Sequence, residues 1–464
     1  VTLVAAGACS AVIGGLPSRP WAREFSLYSP WTTWLTASLL GASRQLWCPE
    51  PSLFRHVRVA VAAAARFETT LAVMPAWAGV RLAAFLVAYL AVASIGYAVK
   101  VPFRVSENEF VNLPARWDAG WYLGIAMNGY RYHPSRGQQN IAFMPAFPVA
   151  MRMVAKAVGA DAVRPSARPA IYVWSGVAVS LAALYGALVY LYRLARARAD
   201  DERARAAVVI ALVYPAAFVY NAPYTEAVFL LCATATFYHV GRSEPGRAAV
   251  WGLLAGLARP NGFLLSGPLM MIALARAGAG WSPRLAGIVD RLWNPEPRGA
   301  AAWHVLAASM PLAGVLLFSA YVYGLTGDPL AWLKLHEAWG RQFAGTERLI
   351  APVLAVSELG FYGYSAAAGY ELFHVLFFLF AIVLALPIAV RLGLAYAAYI
   401  LLTVFPPVLA GGWLSMARIT AVLFPLYLYL GLTLPASTRT AVVVGFAILQ
   451  ALGTALFFTW RPFY

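Results

Sequence analysis

Apolar residues in this chain come in long unbroken runs, not in the two-residue alternation or amphipathic stripe of a soluble fold. Runs at about 78–99, 170–192, 301–324, 366–390, 393–412, 419–435 and 440–459 match or approach the length needed to cross a bilayer. Four shorter runs come in two interrupted pairs. The pair 206–220 and 223–240 is broken by Tyr220-Asn221-Ala222-Pro223-Tyr224, and the pair 248–258 and 262–275 by Arg259-Pro260-Asn261-Gly262. Breaks of this kind persist at membrane depth only where protein or a watery cavity covers them. The pattern predicts an all-α polytopic membrane protein of about eleven transmembrane or short membrane helices. No internal repeat is visible, which counts against inverted-repeat transporters.

The polar segments set an orientation. Arg193, Arg196, Arg198, Arg203 and Arg205 follow the run at 170–192 and mark a cytoplasmic loop. Residues 100–169, rich in Trp and Tyr, then form a large amphipathic first extracytoplasmic loop, and 325–365 a second. The segments 241–247 and 276–300 fall inside, and both helix breaks and Trp413–Arg418 fall outside. Residues 1–77 mix Pro, Trp and Arg with an Ala-rich stretch and read as an N-terminal extension of unknown role. The apolar stretch 1–15 has no basic segment before it and makes a poor signal peptide. The membrane domain is expected over 78–464.

Composition narrows the class. The chain is 61% hydrophobic and 12% charged, with a mean hydropathy of +0.68. That excludes an ordinary soluble enzyme, a disordered chain and a disulfide scaffold. The net charge is +16, but the basic residues do not gather in a soluble aromatic-interleaved stripe, so basic membrane loops explain the excess better than nucleic acid does. Cys9, Cys48 and Cys232 are far apart, and the six histidines show no HxxxH or HExxH spacing. No protein metal cage and no cofactor are therefore expected. The chain has no Walker loop, no GxGxxG and no Ser-His-Asp arrangement, so an activated substrate must reach it within or from the membrane.

Ionisable residues near membrane depth are functional candidates by default. In this topology Asp118, Glu226, Arg259, Asp328, Arg341 and Arg418 gather on the outer side. In Arg116-Trp117-Asp118-Ala119-Gly120-Trp121-Tyr122, a helix would put Asp118 and Tyr122 on one face. Rings beside a carboxylate suit a sugar, whose C–H faces pack on aromatics while its hydroxyls seek acceptors. The competing reading is an interfacial aromatic belt with a pairing Arg–Asp. Glu226, after Tyr224-Thr225, is either a helix cap or a site residue. Arg259 at a helix break calls for an anion or Glu226 as partner. Asp328 in Thr326-Gly327-Asp328-Pro329 reads as a turn cap or a site carboxylate. Lys334, His336 and Arg341 sit on a Trp-rich segment that either contributes to the site or lies on the membrane. Arg418 is either a snorkelling interfacial arginine or a phosphate clamp.

At these residues the chain resembles the PIG-V family of membrane mannosyltransferases. The strings are ARWDAGWYLGIAMNGY (115–130), NIAFMPAFPVAMR (140–152), YPAAFVYNAPYTEAVFLL (214–231), GLLAGLARPNG (252–262), TGDPLAWLKLHEAWGR (326–341) and LSMARITAVLFPLYLYLG (414–431). They occur in the family's order over about residues 85–435. Two departures stand out: Ser415-Met416-Ala417-Arg418-Ile419 replaces a Ser-x-Pro-Arg-Tyr-like pattern, and Met144 and Ala146 replace bulkier aromatics. The resemblance implies a GT-C type glycosyltransferase. It would move a sugar, mannose in this family, from a polyprenyl-phosphate-sugar donor to a hydroxyl of a glycolipid or glycan acceptor. The transfer would take place on the extracytoplasmic face and invert the anomeric centre, with Asp118 as general base and no metal. Arg116, Trp117, Trp121, Tyr122, Tyr224, Glu226, Arg259, Asp328, His336, Arg341 and Arg418 are the expected substrate-binding residues. The Ala- and Arg-rich composition points to a bacterial source, where a GPI anchor is an improbable acceptor. The competing class is a transporter or flippase of lipid-linked sugars. That would need polar groups along a whole transmembrane path, whereas the candidates here lie on one side.

Overall fold

The computed structural model describes residues 68–134, 137–277, 287–290, 301–343 and 345–461. Among them the regular elements are helices, and no strand occurs. In chain order they are α1 (Glu68–Ile95), α2 (Glu109–Asn112), α3 (Ala119–Asn128), α4 (Ala146–Ala157), α5 (Arg168–Arg196), α6 (Asp201–Val213), α7 (Glu226–Gly241) and α8 (Pro245–Ala258). They continue with α9 (Ser266–Ala277), α10 (Ala301–Thr326), α11 (Ala331–Lys334), α12 (Glu347–Arg391), α13 (Leu394–Leu409), α14 (Met416–Ala421), α15 (Phe424–Thr433) and α16 (Ala436–Phe458). Short 3₁₀ turns at Ala217–Asn221 and Pro260–Leu265 fill the two predicted helix breaks.

Among the described residues, five segments are long and apolar enough to cross a membrane: Ala72–Ile95, Pro165–Arg196, Ala302–Thr326, Glu347–Arg391 and Ala436–Phe458. α7, α13 and α15 are shorter apolar helices. The described residues thus form an all-α, multi-pass membrane protein, with the short helices packed among the long ones. Two boundaries differ from the sequence expectation. α1 starts at Glu68, ten residues before the apolar run at 78–99, and the rest of the N-terminal extension lies outside the described residues. α12 starts at Glu347, inside the expected second outer loop. Apolar residues resume at Leu349, and Gly360 (φ 68°) and Ala368 (φ −138°) then bend this helix within its length.

The first break shows how polar backbone survives at depth. Pro215 ends α6, and the carbonyls freed there need donors. Arg81, buried on α1, donates to the carbonyls of Leu212 and Ala217 at 2.6 Å each and to Asn221 Oδ1 at 2.8 Å. Asn221 Nδ2 returns a bond to the Arg81 carbonyl at 3.0 Å, and Gln450 Nε2 of α16 adds a second donor to Leu212 at 2.7 Å. The break is therefore a fixed structure, and it aims the following helix, α7, at the site described below.

Glycines set the second break. A Cβ on Gly256 of α8 would lie 2.0 Å from the Pro311 carbonyl oxygen of α10, and one on Gly314 2.4 Å from the Leu253 carbonyl. Backbones approach this closely only where side chains are absent, as in small-residue seams of membrane helices. α8 carries Arg259 at its C-terminal end. Gly256→Leu should therefore force the seam apart, cost about 1–3 kcal/mol through overpacking and displace Arg259. A lowered unfolding midpoint of the purified protein checks this, with Gly246→Leu, whose Cβ would meet open space, as the control.

Candidate active site

Asp118 opens α3 but makes no side-chain cap bond, so its carboxylate is available to other partners. Trp117 just before it has φ 50°, rare for a bulky residue and a form of local strain that surrounding contacts must hold. Those contacts are specific. Trp117 Nε1 donates to the Phe457 carbonyl at 3.1 Å, and its ring lies 4.7 Å from that of Trp460. Arg116 is fully buried and donates to the carbonyls of Phe458 (2.7 Å), Asn112 (2.9 Å) and Ala115 (3.0 Å) and to the Tyr97 hydroxyl (2.9 Å). Arg116 thus locks the loop to the end of α16. The Tyr224 hydroxyl accepts from the Asp118 N–H at 3.0 Å and donates to the Arg116 carbonyl at 3.2 Å, joining the loop to the start of α7.

Arg418 connects distant parts of the chain. Its Nη1 donates to Asp118 Oδ2 at 2.9 Å and its Nε to Glu226 Oε1 at 2.8 Å. It also lies over the Tyr224 ring, 4.5 Å from the centroid. Three helix starts converge here: Asp118 before α3, Glu226 in the first turn of α7 and Arg418 in α14. Ser415, at φ 65°, turns the chain into α14. Glu226 is completely buried, where the α7 dipole and the arginines favour its charged form. Arg259 Nη1 also lies 2.9 Å from Glu226 Oε1, but its N–H is not aligned for a hydrogen bond. Glu226 Oε2 has no hydrogen-bond partner among the described residues. Both the "cap" and the "site" readings of Glu226 are thus partly met: it starts a helix and it pairs with two arginines.

Arg341 joins from the outer segment, donating through Nη2 to the Leu414 carbonyl at 2.9 Å. Burial, then repulsion from Arg418 and Arg259, lowers its pKa from the ordinary arginine value. Three guanidinium groups against two carboxylates leave one uncompensated positive charge, and a bound anion would relieve it. Aromatic rings stand over the Asp118 side: Trp121, Phe143 and Trp339 lie mutually 5.6–5.7 Å apart. Tyr122 is buried, with its ring 6.1 Å from that of Tyr224. His336 sits between Trp332 and Trp339, where burial and then Arg341 push its pKa down to about 4, so it is neutral at pH 7.

The cluster therefore gathers Asp118, Tyr224, Glu226, Arg259, Arg341 and Arg418, with Trp121 and Tyr122 beside it. It does not include Asp328. That residue accepts from the Leu330 N–H at 2.9 Å and from Lys334 Nζ at 2.7 Å, as in the turn-cap reading. His374 is the residue sequence reasoning missed. It lies on α12, fully buried, and its Nδ1 accepts from the Ala417 N–H at 3.2 Å, one residue from Arg418. That bond places the imidazole hydrogen on Nε2, which has no partner among the described residues. The signal for His374 in the sequence is its place as an ionisable residue inside the apolar run at 366–390, the criterion that singles out the other candidates. Among the described residues, no three His, Cys, Asp or Glu group as a metal site would require.

The family model described as Mannosyltransferase (PIG-V) matches residues 92–279, which carry Asp118, Glu226 and Arg259. The chain is PIG-V-like. The likeness covers residues 92–279, which include α3, α7 and α8 of the cluster. No curated protein matches it in sequence. Among solved structures it is similar to an Archaeoglobus fulgidus oligosaccharyltransferase, crystallised tethered to an acceptor peptide, at 12% identity and a TM-score of 0.39. That alignment covers 84% of this chain and 55% of the oligosaccharyltransferase, so the chain spans little more than half the length of that protein.

Proposed function

We propose that this PIG-V-like chain has the GT-C architecture and transfers a sugar, mannose by its family, from a polyprenyl-phosphate donor to a hydroxyl of a glycolipid or glycan acceptor, with inversion. The observation that carries this reading is Arg418, held between Asp118 and Glu226 with Arg259 and Arg341 close by. The acceptor hydroxyl oxygen attacks the anomeric carbon as the bond from that carbon to the phosphate oxygen breaks. The electron pair leaves on the phosphate, where the guanidinium groups receive the negative charge. Asp118, part-exposed, takes the hydroxyl proton as general base. Trp121 and Tyr122 supply apolar faces for the sugar, and Glu226 Oε2 accepts from a sugar hydroxyl. Arg116, whose donors are committed to the protein itself, serves to position Trp117 and Asp118. His336 lines the approach as a neutral group, and Asp328 holds the turn beneath it.

His374 Nε2–H is assigned to a phosphate oxygen of the donor. His374→Phe keeps an aromatic ring but removes both this donor and the Nδ1 acceptor of the Ala417 N–H, and a lost hydrogen bond to a charged group should raise the donor KM about ten-fold or more. The kcat should change less, and an unchanged donor KM would remove His374 from this role.

We put the site on the extracytoplasmic face, because the arginine-rich segment at the far end of α5 favours the cytoplasm. A cysteine in place of Arg131, an exposed residue of the loop after α3, should react with an impermeant thiol reagent in intact cells. Labelling only after lysis would reverse the orientation.

The competing reading is transport of a lipid-linked sugar without bond chemistry. Proteoliposomes loaded with radiolabelled polyprenyl-phosphate-mannose and candidate glycolipids separate the two. Transfer moves label onto the acceptor and frees polyprenyl phosphate. Transport moves label between leaflets with the sugar–phosphate bond intact, and that result alone would overturn the proposed function.

A further inference from the structure

The opposite end of the same helices carries a second concentration of charge and aromatics. α7 has Glu226 at its start and His239 in its last turn, while α8 has Arg247 in its first turn and Arg259 at its end. The two ends of α7 are about 20 Å apart at 1.5 Å per residue. A cleft of about 680 Å³ lies there between the last turn of α5, the last turn of α7 and the first turns of α8. Its walls include Tyr190, Arg193, Tyr238, Arg242, Arg247 and Trp251. A second cleft of about 430 Å³ shares Arg193, Tyr238 and Arg242 with it and adds Arg196.

We infer that these joined clefts bind the phosphate of an anionic phospholipid headgroup, at the membrane surface remote from the Asp118 cluster. Four arginines line them against one carboxylate, Glu244. Glu244 accepts from Arg242 Nε at 3.2 Å and from Arg247 Nη1 at 3.1 Å. His239, buried behind them, bonds Glu244 at 2.5 Å through Nδ1 and the Tyr190 hydroxyl at 3.0 Å through Nε2. This chain fixes the wall and orients two guanidinium groups. Arg193 and Arg242 also lie over the rings of Tyr190 and Tyr238, 5.9 and 5.7 Å from the centroids. Among the described residues no carboxylate pairs with Arg193. These arginines are not needed to cap α7, because Arg276 already donates to the Val240 and Gly241 carbonyls.

Two features favour a lipid over a soluble phosphate. Tyr190, Tyr238 and Trp251 are the residue types that settle at the membrane–water boundary. Val250, next to Trp251, is 59% exposed on the apolar helix surface, giving acyl chains a path away from the cleft. Basic pockets between membrane helices on the cytoplasmic side are suited to anionic headgroups.

Binding of spin-labelled phosphatidylglycerol and phosphatidylcholine to the purified full-length protein tests the inference. The wild type should prefer phosphatidylglycerol. Arg193→Gln with Arg242→Gln should reduce that preference about five-fold or more, taking the usual contribution of one arginine near a charged surface as the lower bound. The double lysine variant should keep most of it, which separates lost charge from damaged folding. Arg205→Gln, whose partner is Asp201 on the same face and which lines neither cleft, should leave it unchanged. An undiminished preference in the double glutamine variant would overturn the inference. So would displacement by inorganic phosphate as effective as displacement by unlabelled phosphatidylglycerol, which would make the ligand a soluble phosphate.

Discussion

Replacing Arg418 by glutamine should abolish transfer and cost roughly 3–5 kcal/mol of stability. Arg418 is buried and donates to Asp118 and to the fully buried Glu226, so its loss removes the aligned donor from a carboxylate that water cannot reach. Arg259, 2.9 Å from the same Glu226 oxygen, would remain as an ion-pair partner without an aligned hydrogen bond, so the loss is partial for Glu226 and complete for Asp118 Oδ2. Arg418→Lys separates the structural from the chemical part. A lysine retains the charge but lacks the planar fork that spreads the Nε and Nη1 contacts over two residues. It should recover part of the stability while raising the donor KM. Denaturant midpoints and donor kinetics on the same preparations check both. A stable Arg418→Gln protein with normal donor kinetics would remove the arginine from both roles.

The second large effect is expected at Asp118. Asparagine there keeps size and polarity and can still present its carbonyl oxygen to Arg418 Nη1, so folding and donor binding should survive. What disappears is the basic oxygen. A positioned base is worth about 10²–10⁴-fold, so kcat should fall about 10²-fold or more with little change in donor binding. Asp118→Glu should keep some activity only if the acceptor can shift by about one methylene. Near-normal transfer by folded Asp118→Asn would pass the role to Glu226, whose Oε2 is unpartnered among the described residues.

Much of this was legible because membrane helices write themselves in long apolar runs, and ionisable residues among them are few. Asp118, Glu226, Arg259, Arg341 and Arg418 could be picked out for that reason, and the Tyr220–Tyr224 and Arg259–Gly262 breaks from their prolines and polar residues. What the runs hid was partnership at long sequence distance. Arg418 lies 300 residues from Asp118 and 192 from Glu226, and local periodicity carries no information on such contacts. Arg81 illustrates the same limit. It sits inside the apolar run at 78–99, and its purpose emerges only when the α6 break is seen against it. Arg116 and Asp328 mislead in the opposite sense: one is spent on backbone carbonyls and the other on a turn, although both lie in the strings that carry the family resemblance. The extent of α12 was missed because Thr346, Glu347 and Arg348 look like loop, whereas Thr346 is its N-cap and Glu347 and Arg348 open its first turn.

The most direct test of the central claim is donor use by the purified wild-type protein. Polyprenyl-phosphate-mannose and a nucleotide-activated mannose should be offered in parallel, with the same acceptors and no other enzyme. An arginine cluster embedded in membrane helices predicts a labelled glycolipid from the lipid donor alone, with release of polyprenyl phosphate. Transfer from the nucleotide sugar, or a folded protein that leaves the lipid donor intact with every acceptor, would contradict it.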